Sequence, residues 1–186
     1  MRLASVIGSA AMLVAVLPAV FGQRIKVEPN SLAPFVASPQ PVVDRMLEVA
    51  SVKPGETVYD LGCGDGRILI TAVQKFHAKA VGVELNERHA TTATENIKRL
   101  NLQNHAQVIN GNLMDVNIGN ADVVTLYLMT LANEKLRPKL EHELKPGARV
   151  VSLNYQVRGW KPLRVEEAEA FHRSYKIYLY EVPKAN

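Results

Sequence analysis

Two acids, Asp60 and Glu84, each end an apolar run, and the first is followed by three alternating glycines, Gly62, Gly64 and Gly66. A carboxylate at the end of a strand can accept hydrogen bonds from both hydroxyls of a ribose, and one beside a bare turn can pair with an ammonium group. Glycines without a Cβ let a ligand lie directly against the main chain. Glu84 is therefore assigned to ribose hydroxyls. Asp60 is assigned to an amino group, either directly or through a water.

A dinucleotide site is the nearest competitor, because its glycines also follow a first strand and open a helix. Its register is Gly-x-Gly-x-x-Gly, with a pyrophosphate on the helix N-terminus. Here the spacing is Gly-x-Gly-x-Gly, and Arg67 stands where the third dinucleotide glycine would be. Asp60 and Asp65 would repel a pyrophosphate but suit a cation. S-adenosylmethionine carries a sulfonium and an α-ammonium beside its ribose, so it is the expected cofactor. The loop residues Gly62, Cys63, Gly64 and Gly66, with Leu85 beside Glu84, make up its expected cradle. The alternative is a glycine turn that binds nothing.

The elements that must position these residues follow from periodicity. Residues 56–60 read as a strand, 67–76 as a helix with Ile68, Leu69, Ala72 and Val73 at helical spacing, and 79–84 as a second strand. This β-α-β unit places its ligand crevice at the carboxyl ends of the strands. Upstream, a helix carries Val42, Val43, Met46, Leu47 and Ala50 on one face, with Ser38 as its expected N-cap, and Lys53-Pro54-Gly55 turns from it into the first strand. Downstream, 87–100 reads as a helix, 106–110 as a strand, 122–127 as a strand, 133–144 as a helix and 149–153 as a strand. Residues 175–182 form a last strand, with a short one before it. The expected fold class is α/β: a Rossmann-like seven-stranded sheet, mostly parallel with an antiparallel C-terminal strand and helices on both faces.

The 186 residues, 47% hydrophobic and 22% charged, fit one globular domain at 33–186. Residues 1–22 differ. Arg2 precedes an apolar, uncharged run at 3–21, which reads as a signal peptide with small residues at a cleavage position or as a membrane anchor just long enough to span a bilayer. Residues 23–32 are a linker. Kept as an anchor, the run would leave the domain facing the cytoplasm, since Arg24 and Lys26 outnumber Arg2. Removal would export the domain. Cys63 is the sole cysteine, so no intrachain disulfide forms. His77, His89, His105, His142 and His172 lack metal-ligand spacing, and no metal is expected. The net charge of +4 is modest, and no nucleic-acid partner is expected.

Several further pieces carry a resemblance. They are Pro34-Phe35-Val36-Ala37-Ser38, the loop from Asp60 to Arg67, and Thr125-Leu126-Tyr127-Leu128 leading to Leu136-Arg137-Pro138-Lys139-Leu140, followed by 145–152 and Gly159-Trp160-Lys161-Pro162. Over 34–183 the chain resembles the small seven-strand methyltransferases related to the lysine methyltransferases of the ATP synthase c subunit and the adenine nucleotide translocase, with their bacterial relatives. The glycine loop identifies the superfamily, and the flanking pieces point to the subgroup. The resemblance implies methyl transfer from S-adenosylmethionine to a protein lysine. Two positions depart from the wider pattern. Gly111-Asn112 stands where many relatives have Gly-Asp for the adenine amino group, a bond an asparagine oxygen can also accept. Glu84 replaces a common Asp. Asn112 and its neighbour Leu113 complete the expected cofactor-binding set.

Methyl transfer from a sulfonium needs a positioned nucleophile more than acid-base machinery. Acceptor-positioning candidates lie past the fourth and fifth strands: Tyr127, Asn154 and Tyr155, with Thr125 and Trp160 also considered. Their rings can hold an ammonium by cation–π attraction. The expected partner is a protein substrate, with a membrane protein among the candidates. The alternatives are a small molecule or other macromolecule as acceptor, or a noncatalytic, exported S-adenosylmethionine-binding protein.

Overall fold

The computed structural model describes residues 36–182. The expected leader or anchor at 1–22, the linker at 23–32, and Pro34 and Phe35 lie outside the described residues. Among the described residues the order is α1(Gln40–Val49), β1(Thr57–Leu61), α2(Arg67–Phe76), β2(Lys79–Glu84), α3(Glu87–Arg99), β3(Ala106–Asn110), β4(Val123–Leu126), α4(Thr130–Glu143), β5(Arg149–Leu153), β6(Arg164–Ala170) and β7(Arg173–Glu181). No helix among them is long and apolar enough to cross a membrane.

The strands form one sheet in the order β3-β2-β1-β4-β5-β7-β6. β1 to β5 pair in parallel, and β7 runs antiparallel to both β5 and β6. This bears out the expected seven-stranded, mostly parallel sheet with an inverted C-terminal strand. The chain builds outward from β1 through β2 to β3, then crosses back to lay β4 on the other side of β1. The winding therefore reverses between β1 and β4, and in open α/β sheets ligands bind at the carboxyl ends of the strands at such a point.

Each face of the sheet is covered by helices whose apolar stripes match it. On one face, Val43, Met46 and Leu47 of α1, Leu69 and Ala72 of α2, and Ala93 and Ile97 of α3 pack over Val58, Ala80 and Val151. On the other, Ala132, Leu136 and Leu140 of α4 cover Leu61, Val83, Val124 and Tyr180. The Asn86 side chain caps α3, accepting from the backbone N–H groups of Arg88 and His89 at 3.0 and 3.2 Å.

Three local expectations change. Ser38 does not cap α1: Pro39 is the N-cap residue without a side-chain bond, and Ser38 is buried with its carbonyl accepting from Arg67 Nη1 at 2.5 Å. α4 begins at Thr130 rather than 133, because Ala132 and Asn133 are drawn under the sheet and buried. The short strand expected before β7 is a full seven-residue β6, joined to β7 by Phe171 and His172, both at positive φ. Those paired left-handed residues are the signature of a tight hairpin turn.

Gly82 shows how closely the glycine loop presses on β2. A Cβ there would stand 2.5 Å from Cys63 Sγ and 2.6 Å from Leu69 Cδ1. Gly82→Ala should therefore lose roughly 1–3 kcal/mol of stability through overpacking. Urea unfolding measures it, and adding Cys63→Ala should restore part of the loss. A Gly82→Ala protein as stable as wild type would mean that the loop is not held so tightly.

Candidate active site

The glycine loop leaves β1 at Leu61 and enters α2 at Arg67. Gly62 N–H and Cys63 N–H both donate to Val83 O, at 2.8 and 3.1 Å, which straps the loop to the end of β2. Gly66 sits at φ +81 as the N-cap of α2, and a Cβ there would meet Ala93 at 3.1 Å, so glycine answers both to the backbone turn and to the approach of α3. Asn96 Nδ2 donates to Asp65 O at 3.0 Å from the same helix.

Glu84 shapes this loop before any ligand arrives. Its Oε2 accepts from Gly64 N–H and its Oε1 from Asn86 N–H, both at 2.9 Å. One half-buried carboxylate thus ties the turn after β1 to the turn after β2, and each oxygen retains a lone pair for a hydroxyl. Asp65 forms an ion pair with Arg67, whose guanidinium holds the Asp65 carboxyl below the usual carboxylate range. Through the bond from Arg67 to Ser38, the same pair anchors the chain entering α1 beside the loop.

Asp60 is 4% exposed on the face covered by α1 to α3. Its strand neighbours at the same level are Gly82 on β2 and Thr125 on β4. Thr125 Oγ1 donates to Asp60 Oδ1 at 2.7 Å, while Oδ2 has no donor among the described residues. Burial pushes the Asp60 carboxyl up to about 7, the Thr125 hydrogen bond opposes that rise, and the nearby Glu84 and Asp65 charges add to it. Burial likewise pushes the Cys63 thiol far up, which makes it an inert filler rather than a nucleophile.

The remaining predicted residues fall into two groups. Leu85 is half-buried in the β2–α3 turn with its carbonyl accepting from Asn110 Nδ2 at 3.2 Å, Leu113 is buried against the α4 face, and Asn112 Oδ1 accepts from Met114 N–H at 3.0 Å. Tyr127 and Tyr155 follow β4 and β5, their rings stacked with centroids 6.3 Å apart. Asn154, at φ +60, lies within 3.5 Å of the Tyr127 hydroxyl through Nδ2, and its backbone N–H and Oδ1 pair with the backbone of Lys176 on β7. Tyr127, Asn154 and Tyr155 therefore form a connected cluster.

Two acceptor candidates move elsewhere. Thr125 is fully buried and its hydroxyl donates to Asp60, which places it beside the acid. Trp160 packs edge-on against Tyr180, and its Nε1 donates to Glu141 Oε1 at 2.7 Å near the end of α4. It clamps the loop after β5 onto that helix. In compensation, β7 brings Tyr175 and Arg173 close enough to act on the Tyr127 hydroxyl, which burial pushes up. Their place in the sequence gives no hint of this, since only the inversion of β7 returns them to the carboxyl edge.

This sheet order, with an acid ending β1, a glycine turn and a second acid ending β2, defines an S-adenosylmethionine-dependent methyltransferase. A family model described as the ANTKMT methyltransferase domain matches residues 60–164, and the chain belongs to that family. It is 48% identical over 150 residues to a protein-lysine N-methyltransferase of Saccharolobus islandicus, a match spanning 80% of this chain and 93% of that protein. It is 32% identical to the adenine nucleotide translocase lysine N-methyltransferase of Mus musculus, over 71% of this chain and 57% of that one. A crystal structure of an RNA methyltransferase from Salinibacter ruber with S-adenosyl-L-homocysteine superposes with a TM-score of 0.77 at 38% identity, covering 81% of this chain and 96% of that chain.

The raised Asp60 carboxyl has a stability consequence without cofactor. A folded-state value of about 7, above the unfolded one, means the contribution is fully present below the usual carboxylate range and is lost as pH rises through about 7. Asp60→Asn should match wild type at about pH 4 and be the more stable protein at about pH 8, by on the order of 1–4 kcal/mol. Denaturant unfolding at the two pH values checks this. A constant difference would contradict the burial of a titrating Asp60.

Proposed function

We propose that this methyltransferase moves the methyl group of S-adenosylmethionine onto the side-chain amine of a protein lysine. The observation that carries the acceptor reading is the stacked Tyr127–Tyr155 pair, joined to Asn154 at the carboxyl ends of β4 and β5. Aromatic faces attract an ammonium and its methylated products by cation–π interaction. The lysine N-methyltransferase relatives support the same reading.

In this reading Asp60 Oδ2 holds the cofactor's α-ammonium, Glu84 accepts from its ribose hydroxyls, and Gly62, Cys63, Gly64 and Gly66 give it a wall of bare backbone. Leu85 and Leu113 flank the adenine, and Asn112 Oδ1 accepts from the adenine amino group with its second lone pair. The cofactor supplies the electrophilic methyl on its sulfonium. Tyr127, Tyr155 and Asn154 orient the incoming amine and shed its water, and desolvation favours its neutral form.

The reading extends to location. With 3–21 kept as an anchor and Arg24 and Lys26 on the inner side, the domain meets both an intracellular cofactor and membrane proteins as acceptors. Fractionation of the producing cells checks this, and recovery of the chain outside the cytoplasm without its first 22 residues would overturn it.

The acceptor is tested by incubating the full chain, radiolabelled cofactor and an extract of the producing cells, then hydrolysing the labelled material. Methyl-lysine in protein is the expected outcome. The RNA methyltransferase similarity makes RNA the specific rival, so label in RNA, or only in a small molecule, would sink the lysine reading while leaving the enzyme class intact. Tyr127→Ala should lower kcat/KM for the labelled protein by roughly 10- to 100-fold and leave cofactor affinity unchanged within about twofold.

A further inference from the structure

Asp60 and Thr125 sit on opposite sides of the point where the sheet reverses its winding, and they are direct register partners. Across that seam Asp60 faces a fully buried hydroxyl at 2.7 Å on one side and the side-chain-free Gly82 on the other. The next level position beyond Thr125 is Val151, so the carboxylate stands on an otherwise apolar face with one neutral donor. A hydrogen bond to a single oxygen fixes the rotamer of a carboxylate and leaves the second oxygen committed to nothing else. We infer that Thr125 is the positioning residue for the cofactor's amino-acid end: by holding Asp60 Oδ1, it keeps Oδ2 aligned and available for the α-ammonium. The inference rests on the assignment of Asp60 to that ammonium.

Chemistry follows from this arrangement. The groups bearing on Asp60 are Thr125 from β4, Glu84 from the end of β2, and Asp65 in the loop, the last neutralised by Arg67. Glu84 and Asp65 disfavour the ionised acid, and the Thr125 hydroxyl favours it. A cofactor bearing an ammonium binds the ionised form, so it must expel a proton when Asp60 carries one. Affinity for S-adenosylmethionine should then fall as pH drops below about 7, approaching about tenfold per unit. Without the Thr125 donor, that midpoint moves to higher pH.

Methylthioadenosine separates a positioning role from a structural one, because it keeps the adenosine and lacks the amino-acid end. Titration calorimetry of the full chain with S-adenosylmethionine and with methylthioadenosine, across about pH 6 to 8.5, would compare wild type, Thr125→Val and Thr125→Ser. The valine variant should bind S-adenosylmethionine about 10- to 30-fold more weakly near neutrality, the loss expected from a charge-assisted hydrogen bond, with its pH midpoint raised. It should bind methylthioadenosine within about twofold of wild type, and the serine variant should recover most of the loss. If valine disrupts folding, Thr125→Ala against Thr125→Ser makes the same comparison. Equal weakening of both ligands would overturn the inference, as would an unchanged pH profile. A wild-type chain that binds methylthioadenosine and S-adenosylmethionine equally well at every pH would instead remove the assignment of Asp60, and this inference with it.

Discussion

The burial of one carboxylate organises the carboxyl edge of this molecule. Asp60 lies where an apolar face would ordinarily carry Val or Ile, with a single hydroxyl as its protein donor. Burying an acid that way is unfavourable unless it sheds its charge or gains a cation. Around it the chain removes side chains rather than adding partners. Gly82 flanks Asp60 in the sheet, and Gly62, Gly64 and Gly66 follow it. The unanswered acid, beside a turn of bare backbone, describes a ligand with a positive end.

The second acid does a different job. Glu84 is half-buried, and backbone N–H groups from two turns converge on it, so it shapes the loop. Asp65 is committed to Arg67, and through it to the chain entering α1. Three acids close in sequence or space therefore hold three distinct roles, set by their partners and by burial. A comparable tie joins α4 to the loop after β5. Arg137 of α4 lies against Gly159, and Trp160 reaches Glu141, so these two separated motifs form one clamp that fixes the loop carrying Tyr155.

Much of this was legible from residue order. Strand, acid, glycines, helix and second acid sit within one short β-α-β unit, where local periodicity and turn chemistry dominate, and within it the observed element bounds differ from the expected ones by at most one residue. Contacts that join distant strands leave no such local mark. The position of Thr125 near the end of β4 does not reveal its pairing with Asp60, which depends on β4 crossing back beside β1. Nor does the place of Trp160 after β5 reveal that it packs on Tyr180 of β7 and donates to Glu141 of α4. The β6–β7 turn carries Phe171 and His172 without glycine or asparagine, so its tightness left no turn signal.

The sequence by itself determined the class of cofactor, because glycine spacing and the signs of the nearby charges are local properties that survive without knowledge of the sheet. It also determined the alternation of strands and helices, through apolar periodicity. Only the tertiary structure decided which hydroxyl meets Asp60, which aromatic rings meet one another, and that an inverted last strand returns Tyr175 and Arg173 to the active edge. The physical reason is that strand order sets these contacts. Order in a sheet is chosen by the packing of whole apolar faces, which no short stretch of residues encodes.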